Sequence, residues 1–266
     1  MSATLPPTIG SLLREWRQRR RLSQLELALD AEVSTRHLSC VETGRAQPSR
    51  EMVMRLAARL EVPLRERNRL LTAAGFAPMY GERRLDDPAL HAAREAVDQV
   101  LRGHEPYPAL AVDRHWNLVS YNRAVPPLLA GVSAELLVPP VNVMHLSLHP
   151  QGLAPRILNL AQWREHAFAR LRQQIAACAD PQLEALLESL QRHPAPARAS
   201  APIDAAMVVP LLIDSPAGVL SLIGTTTVFG TPVDVTLSEL ALETFFPADE
   251  TTATALRSLY AQHATA

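Results

Sequence analysis

Residues Ser23–Gly44 read SQLELALDAEVSTRHLSCVETG, and this stretch decides the fold of the N-terminal part of the chain. Ser23 with Glu26 three residues later makes a capping box, so a helix begins there. Its Leu25, Ala28 and Leu29 are expected to face inward. Ser34 caps a further helix whose inward stripe is Leu38 and Val41, and Val33 is placed to plug the crossing between the two. With Leu38 and Val41 turned inward, Arg36, Ser39 and Cys40 face outward, and Thr35 and Thr43 lie at the margins.

Working outward, Ile9, Leu12, Leu13 and Trp16 mark one face of a preceding helix. A fourth helix runs from Ser49 through Met52, Val53, Leu56 and Leu60 to Pro63, and a fifth carries Leu64, Leu70 and Leu71 to a terminating Gly75. The spacing predicts an all-α domain of five helices over residues 8–78. The Gly and Pro cluster Gly75-Phe76-Ala77-Pro78-Met79-Tyr80-Gly81 closes it.

Residues 85–266 mix periods. A helix is expected over 88–102, then two short strands, Ala109–Asp113 and Trp116–Ser120, joined through Arg114-His115. Helical spacing covers Ala154–Ala177 and Pro181–Arg192, the latter with Leu183, Leu186, Leu187 and Leu190 on one face. The Pro and Ala segment His193–Pro202 reads as a surface loop. Met207–Ile213, Gly218–Phe229 and Val233–Phe246 are β-rich, Gly230-Thr231-Pro232 is a turn, and Asp249 opens a terminal helix. These residues predict an α+β domain with an antiparallel sheet of about five strands.

The chain has 266 residues and a formal net charge of -1. All 26 basic residues are arginine, which excludes Schiff-base and P-loop lysine chemistry. The near-neutral total conceals two halves: residues 1–80 hold 13 Arg against eight acids, +5, and residues 81–266 hold 13 Arg against 19 acids, -6. A basic helical half suits nucleic acid. Cys40 and Cys178 make neither a disulfide framework nor a four-ligand zinc site, and no run of residues has the length of a membrane span. The sequence is read as cytoplasmic, with no membrane partner.

In the helical half, Arg36 can reach guanine O6 and N7 bidentately, and Thr35 or Ser39 can bond a base edge or a phosphate. Gln24 and Arg45 are placed to anchor the DNA backbone on either side, and Ser34 and Cys40 complete the candidate DNA-binding set. The same shape also occurs in proteins that never touch DNA, and Arg17-Gln18-Arg19-Arg20-Arg21 can be a solvated helix end. No catalytic or metal site is expected. His145 and His149 stand four apart but Pro150 ends a helix there, and no nucleophile elbow or phosphate loop occurs.

The stretch LSQLELALDAEVSTRHLSCVETGRAQPSREMVMRLAARLEVPLRERNRLLTAAGFAPMY resembles the helix-turn-helix of the XRE family, in the version preceding an MmyB-like transcription-regulator ligand-binding domain. AVDRHWNLVSYNRA, the Leu148–Gly152 turn, NLAQWREHAFARLR and FGTPVDVTLSELALETFFPADETTATAL resemble that second domain, so the likeness spans roughly residues 8–257. Two departures from the family pattern matter: Glu32 sits where this turn usually favours glycine, which implies an adjustment of the backbone, and Cys40 replaces the aromatic often found there, so base preference does not carry over.

The resemblance implies a DNA-binding transcription regulator and no enzyme. It implies a PAS-like fold over 85–266 around a pocket for a small apolar ligand such as a fatty acid or acyl compound, and no cofactor. On the residues alone a filled core ranks above a pocket, and the family likeness is what puts the pocket slightly ahead. Candidate polar ligand contacts are Asn122, Asn142, His149, Arg156, Asn159, Trp163 and Arg170, with the two arginines suited to a carboxylate. Each has another role open to it: Asn122 and Asn142 as helix caps, Arg156 paired with an acid, Trp163 as packing. The family likeness and the two-fold symmetry of operators favour a homodimer reading a palindromic double-stranded operator, with half-sites about 34 Å apart. Two other classes stay open: a second domain that only dimerises and docks partners, or one that is an enzyme.

Overall fold

Serine and threonine caps start the helices of the N-terminal part. In the computed structural model, which describes residues 7–194, 209–229 and 234–264, Thr8, Ser23, Ser34 and Ser49 accept from the backbone N–H of Ser11, Glu26, His37 and Met52. The helices are α1 (Ile9–Arg19), α2 (Gln24–Asp30), α3 (Thr35–Glu42), α4 (Arg50–Arg59) and α5 (Leu64–Ala73). They belong to a first compact unit of residues 1–83 with 232–238; the second unit is 84–231 with 239–266.

Three of these helices end on a non-glycine residue in the left-handed region: Arg21 (φ 57°), Glu32 (φ 54°) and Glu61 (φ 49°). Each is followed by paired backbone bonds that close the helix, as in Glu32 N–H to the Leu29 carbonyl and Val33 N–H to the Ala28 carbonyl. The adjustment expected at Glu32 is thus a left-handed C-terminal turn. A side chain costs roughly 1–2 kcal/mol in this region, which the closing bonds and the buried residues beyond offset.

Leu13, Trp16, Leu38, Val41, Val53, Leu56, Leu70 and Leu71 build the core of the first unit. One expectation is corrected here. On α2 the buried residues are Leu27 and Ala28, whereas Leu25 and Leu29 are 57% and 69% exposed. The helix offers two apolar faces, and the close crossing at Ala28 selects the one that also carries Ala31. At Gly10 of α1 a Cβ would lie 2.4 Å from the Val41 carbonyl oxygen, so only glycine admits the approach of α1 to the end of α3.

Residues 234–238 complete the first unit. Val235 is fully buried and its N–H donates to the Gly81 carbonyl, Arg83 pairs with Asp234 at 3.0 Å, and Thr236 donates to the Arg83 carbonyl. This overturns the reading of Val233–Phe246 as one strand. Asp234 accepts from the N–H of Thr236 and starts a helical turn, Val235–Ser238. Val233 and the Gly230–Pro232 turn lie outside the described residues, as do 195–202 of the expected loop and Met207.

In the second unit an antiparallel sheet has the order β2-β1-β5-β4-β3, from β1 (Ala109–Val112), β2 (Leu118–Tyr121), β3 (Leu211–Ser215), β4 (Gly218–Val228) and β5 (Ala241–Pro247). The helices are α6 (His91–Gly103), α7 (Val143–Leu148), α8 (Leu160–Cys178), α9 (Pro181–Gln191) and α10 (Glu250–Ala264). The helical stretch expected from Ala154 breaks at Ile157–Asn159. There Pro155 limits it to a short 3-10 turn and Ile157 bridges to Ile213 of β3. Leu171, Leu183 and Leu190 pack α8 and α9 together with Val112 and Met144. Among the described residues no helix is long and apolar enough to cross a membrane.

Glu42, the last residue of α3, has a side chain only 2% exposed; Arg17 reaches it at 2.7 and 2.8 Å and Gln24 at 2.8 Å. Leaving a buried guanidinium without its carboxylate costs several kcal/mol. Glu42→Ala is expected to lower the unfolding free energy by about 3 kcal/mol in urea titrations. In the second unit, Glu105 accepts from Arg123 and from the Tyr260 hydroxyl, and the Arg123 bonds bring its carboxyl down from 4.5 to about 2. A carboxyl depressed in the folded state stabilises above its unfolded pKa and loses that contribution as pH falls. The stability gap between wild type and Glu105→Gln is therefore expected to be full near neutral pH and to close as pH falls from about 5 to about 2 in thermal melts at stepped pH.

Candidate functional site

The brace at Glu42 fixes the outward helix. Burial pushes its carboxyl up, but hydrogen bonds from Arg17 and Gln24 and the charges of Arg17 and Arg14 outweigh this and hold it below its ordinary value. The carboxylate so joins α1, α2 and the last turn of α3, and the other end of α3 carries Thr35 and Arg36. Arg36 and Arg45 are exposed, and neither side chain makes a hydrogen bond or ion pair among the described residues. Ser39 and Cys40 are half-buried on the same helix, and the Ser34 oxygen is engaged by His37 N–H. Gln24 stands apart from the rest: its amide N–H₂ is given to Glu42. An uncommitted guanidinium on a braced helix is free to meet a base edge or a phosphate.

In the second unit a cavity of about 120 Å3 lies between the sheet and helices α7 and α8. Leu110, Leu118, Leu128, Met144, Ile213 and Phe245 supply much of its apolar wall. Its polar groups sit together. Trp163 Nε1 donates to Ser147 Oγ at 2.7 Å, and Arg170 holds Glu243 through two bonds of 3.0 and 2.8 Å. Thr226 accepts from Arg170 and donates to Glu243, and the guanidinium lies 4.6 Å from the centre of the Trp116 ring. His166 also lines the cavity; burial first, and then the Arg170 charge, lower its pKa, against an opposing effect of Glu243.

Of the seven ligand candidates, Trp163 and Arg170 line this cavity and five do not. Asn122 is spent on backbone: it accepts from Ala109 N–H and donates to the Leu101 and Tyr107 carbonyls. Asn142 caps α7 and donates to the His115 carbonyl. His149 accepts from Gln151 N–H and faces the His193 ring at 4.9 Å. Arg156 clamps the carbonyls of Asp214, Leu128 and Ala130, while Asn159 ties Pro210 and Leu212 at the start of β3.

Ser147, His166 and Glu243 were not anticipated. The spacing of Trp163, His166 and Arg170 along one face of α8 could have pointed to His166; nothing local marks Glu243, which is brought across by β5. Among the described residues, no group of three His, Cys, Asp or Glu side chains is arranged to hold a metal ion.

Comparison with known proteins finds a family model in each part of the chain. Residues 8–70 match a helix-turn-helix domain model, and residues 93–259 match the model of the MmyB-like transcription regulator ligand binding domain. The clp gene regulator ClgR from Corynebacterium glutamicum is 26% identical, with a TM-score of 0.23, over 40% of this chain and 99% of that one. An RNA-binding Light-Oxygen-Voltage receptor is 13% identical with a TM-score of 0.26, over 97% of this chain and 64% of that one. No curated protein matches. With the second family model running over more than half of its length, the chain belongs to the MmyB-like transcription regulators, joining a helix-turn-helix to a ligand binding domain.

Proposed function

We propose that this DNA-binding transcription regulator changes its grip on an operator when a small apolar molecule of the acyl class enters the second unit. In this reading residues 8–78 are the DNA-binding domain and residues 85–266 the sensor. The protein works in the cytoplasm as a homodimer on a palindromic operator and catalyses no reaction. Ser34, Thr35, Arg36, Ser39, Cys40 and Arg45 face the DNA, and Gln24 contributes by fixing Glu42 and with it the angle of α3. Trp163 meets the ligand together with Ser147 and His166, and Arg170, paired with Glu243, lines the wall beside them.

The observation that carries this reading is the cavity, whose wall is apolar except for one cluster of oriented polar groups. The ligand acts only through its preference for one dimer geometry over another, so the change in operator affinity equals that preference. Organic extraction of the purified chain with native mass spectrometry tests the sensor. A persistent small-molecule adduct supports it, and a chain that stays empty in the presence of short acyl compounds leaves the second domain as a docking module.

For the DNA-facing helix, selection of bound fragments from random DNA compares wild type with Arg36→Ala. The exposed Arg36 is not part of the core, so the variant is expected to melt like wild type while losing about 1–3 kcal/mol of specific binding and relaxing the sequence preference at one position of each half-site. Equal enrichment of the same sequences by both proteins rejects the assignment. Arg45→Ala is expected to weaken binding evenly across sequences and to flatten the salt dependence by about one phosphate contact.

A further inference from the structure

We propose that the cavity of the second unit takes an uncharged amphiphile, such as an acyl amide, ester or alcohol, and disfavours the free carboxylate of the same chain length. This rests on the sensing reading above and narrows it. The charged residues lining the cavity are Arg170 and Glu243, and their charges are spent on one another through two hydrogen bonds. To hold a ligand carboxylate, Arg170 would have to release Glu243, which is 5% exposed and would be left as a buried anion facing the incoming one. Thr226 is the remaining partner of Glu243, and a hydroxyl does not replace a guanidinium.

Among the described residues no other arginine lines the cavity. The Arg156 fork is held by three backbone carbonyls away from its lining, and burial together with the Arg170 charge, against an opposing effect of Glu243, lowers the pKa of His166. What the wall does offer is neutral hydrogen bonding. Ser147 accepts from Trp163 and keeps its own O–H to give, and His166 makes no hydrogen bond among the described residues. Those groups match a carbonyl or a hydroxyl. The space of about 120 Å3 is smaller than the ~150 Å3 cavity that accommodates benzene, so an eight-carbon chain enters with some displacement of the wall.

The test uses octanamide and octanoate, which have the same shape and differ in charge, titrated into the full chain by calorimetry at pH 7.5. Octanamide is expected to bind at least ~10-fold more tightly. Glu243→Gln frees the Arg170 fork, and octanoate is expected to gain roughly tenfold while octanamide changes little. Should that variant fold poorly, the paired change Arg170→Gln with Glu243→Gln removes both charges together; octanamide is then expected to stay within about threefold of its wild-type affinity, with octanoate weak. Octanoate binding to wild type as tightly as octanamide, or more tightly, overturns the charge argument and leaves sensing intact. Binding of neither compound to folded wild type overturns the sensing reading itself, and this inference with it.

Discussion

A guanidinium closed on a buried carboxylate organises each unit of this protein. In the first, Arg17 grips Glu42 and Gln24 joins from α2, so one carboxylate gathers three helices and braces the last turn of α3. In the second, Arg123 holds Glu105 and Arg170 holds Glu243. A chain without lysine has only this kind of strong cation. Arginine's planar fork fixes the direction of its partner as well as its distance, where an ammonium would act as a point charge. The buried acids are thus oriented parts of the framework, and the arginines left over on the surface are the ones free to meet a phosphate.

Much of this architecture was legible in the sequence. Serines at 23, 34 and 49 announce their helices because a cap is a local exchange of hydrogen bonds. Alternation and turn residues gave the β-rich segments, and the stripe Leu183, Leu186, Leu187, Leu190 gave α9. What failed was choice between equivalent local signals. Leu25 with Leu29 and Leu27 with Ala31 are both apolar pairs four residues apart, and only the crossing at Ala28 decides between them. Helix ends at Arg21, Glu32 and Glu61 carry no glycine to mark them.

The polar residues of the second unit show a deeper limit. Asn122, Asn159 and Arg156 satisfy buried backbone groups in long irregular connections, and a side chain recruited for that purpose looks in sequence like one waiting for a ligand. Trp163 and Arg170 differ by pointing from one face of α8 at the hollow, a distinction that exists only after β5 has carried Glu243 and Phe245 opposite them. Charge obeys the same rule. The sum over residues 81–266 is -6, yet the lining of the cavity balances to zero, because what a ligand meets is local pairing.

The segment at 234–238 gives the first unit a history as well as a shape. Val235 is buried there, and Asp234, bound to Arg83, stands 151 positions beyond that arginine. A polypeptide leaves the ribosome N-terminus first, so the first unit spends most of the synthesis of the chain without residues 234–238. That unit gains its last segment only when most of the second unit has been made. A boundary in space is here no boundary in the chain.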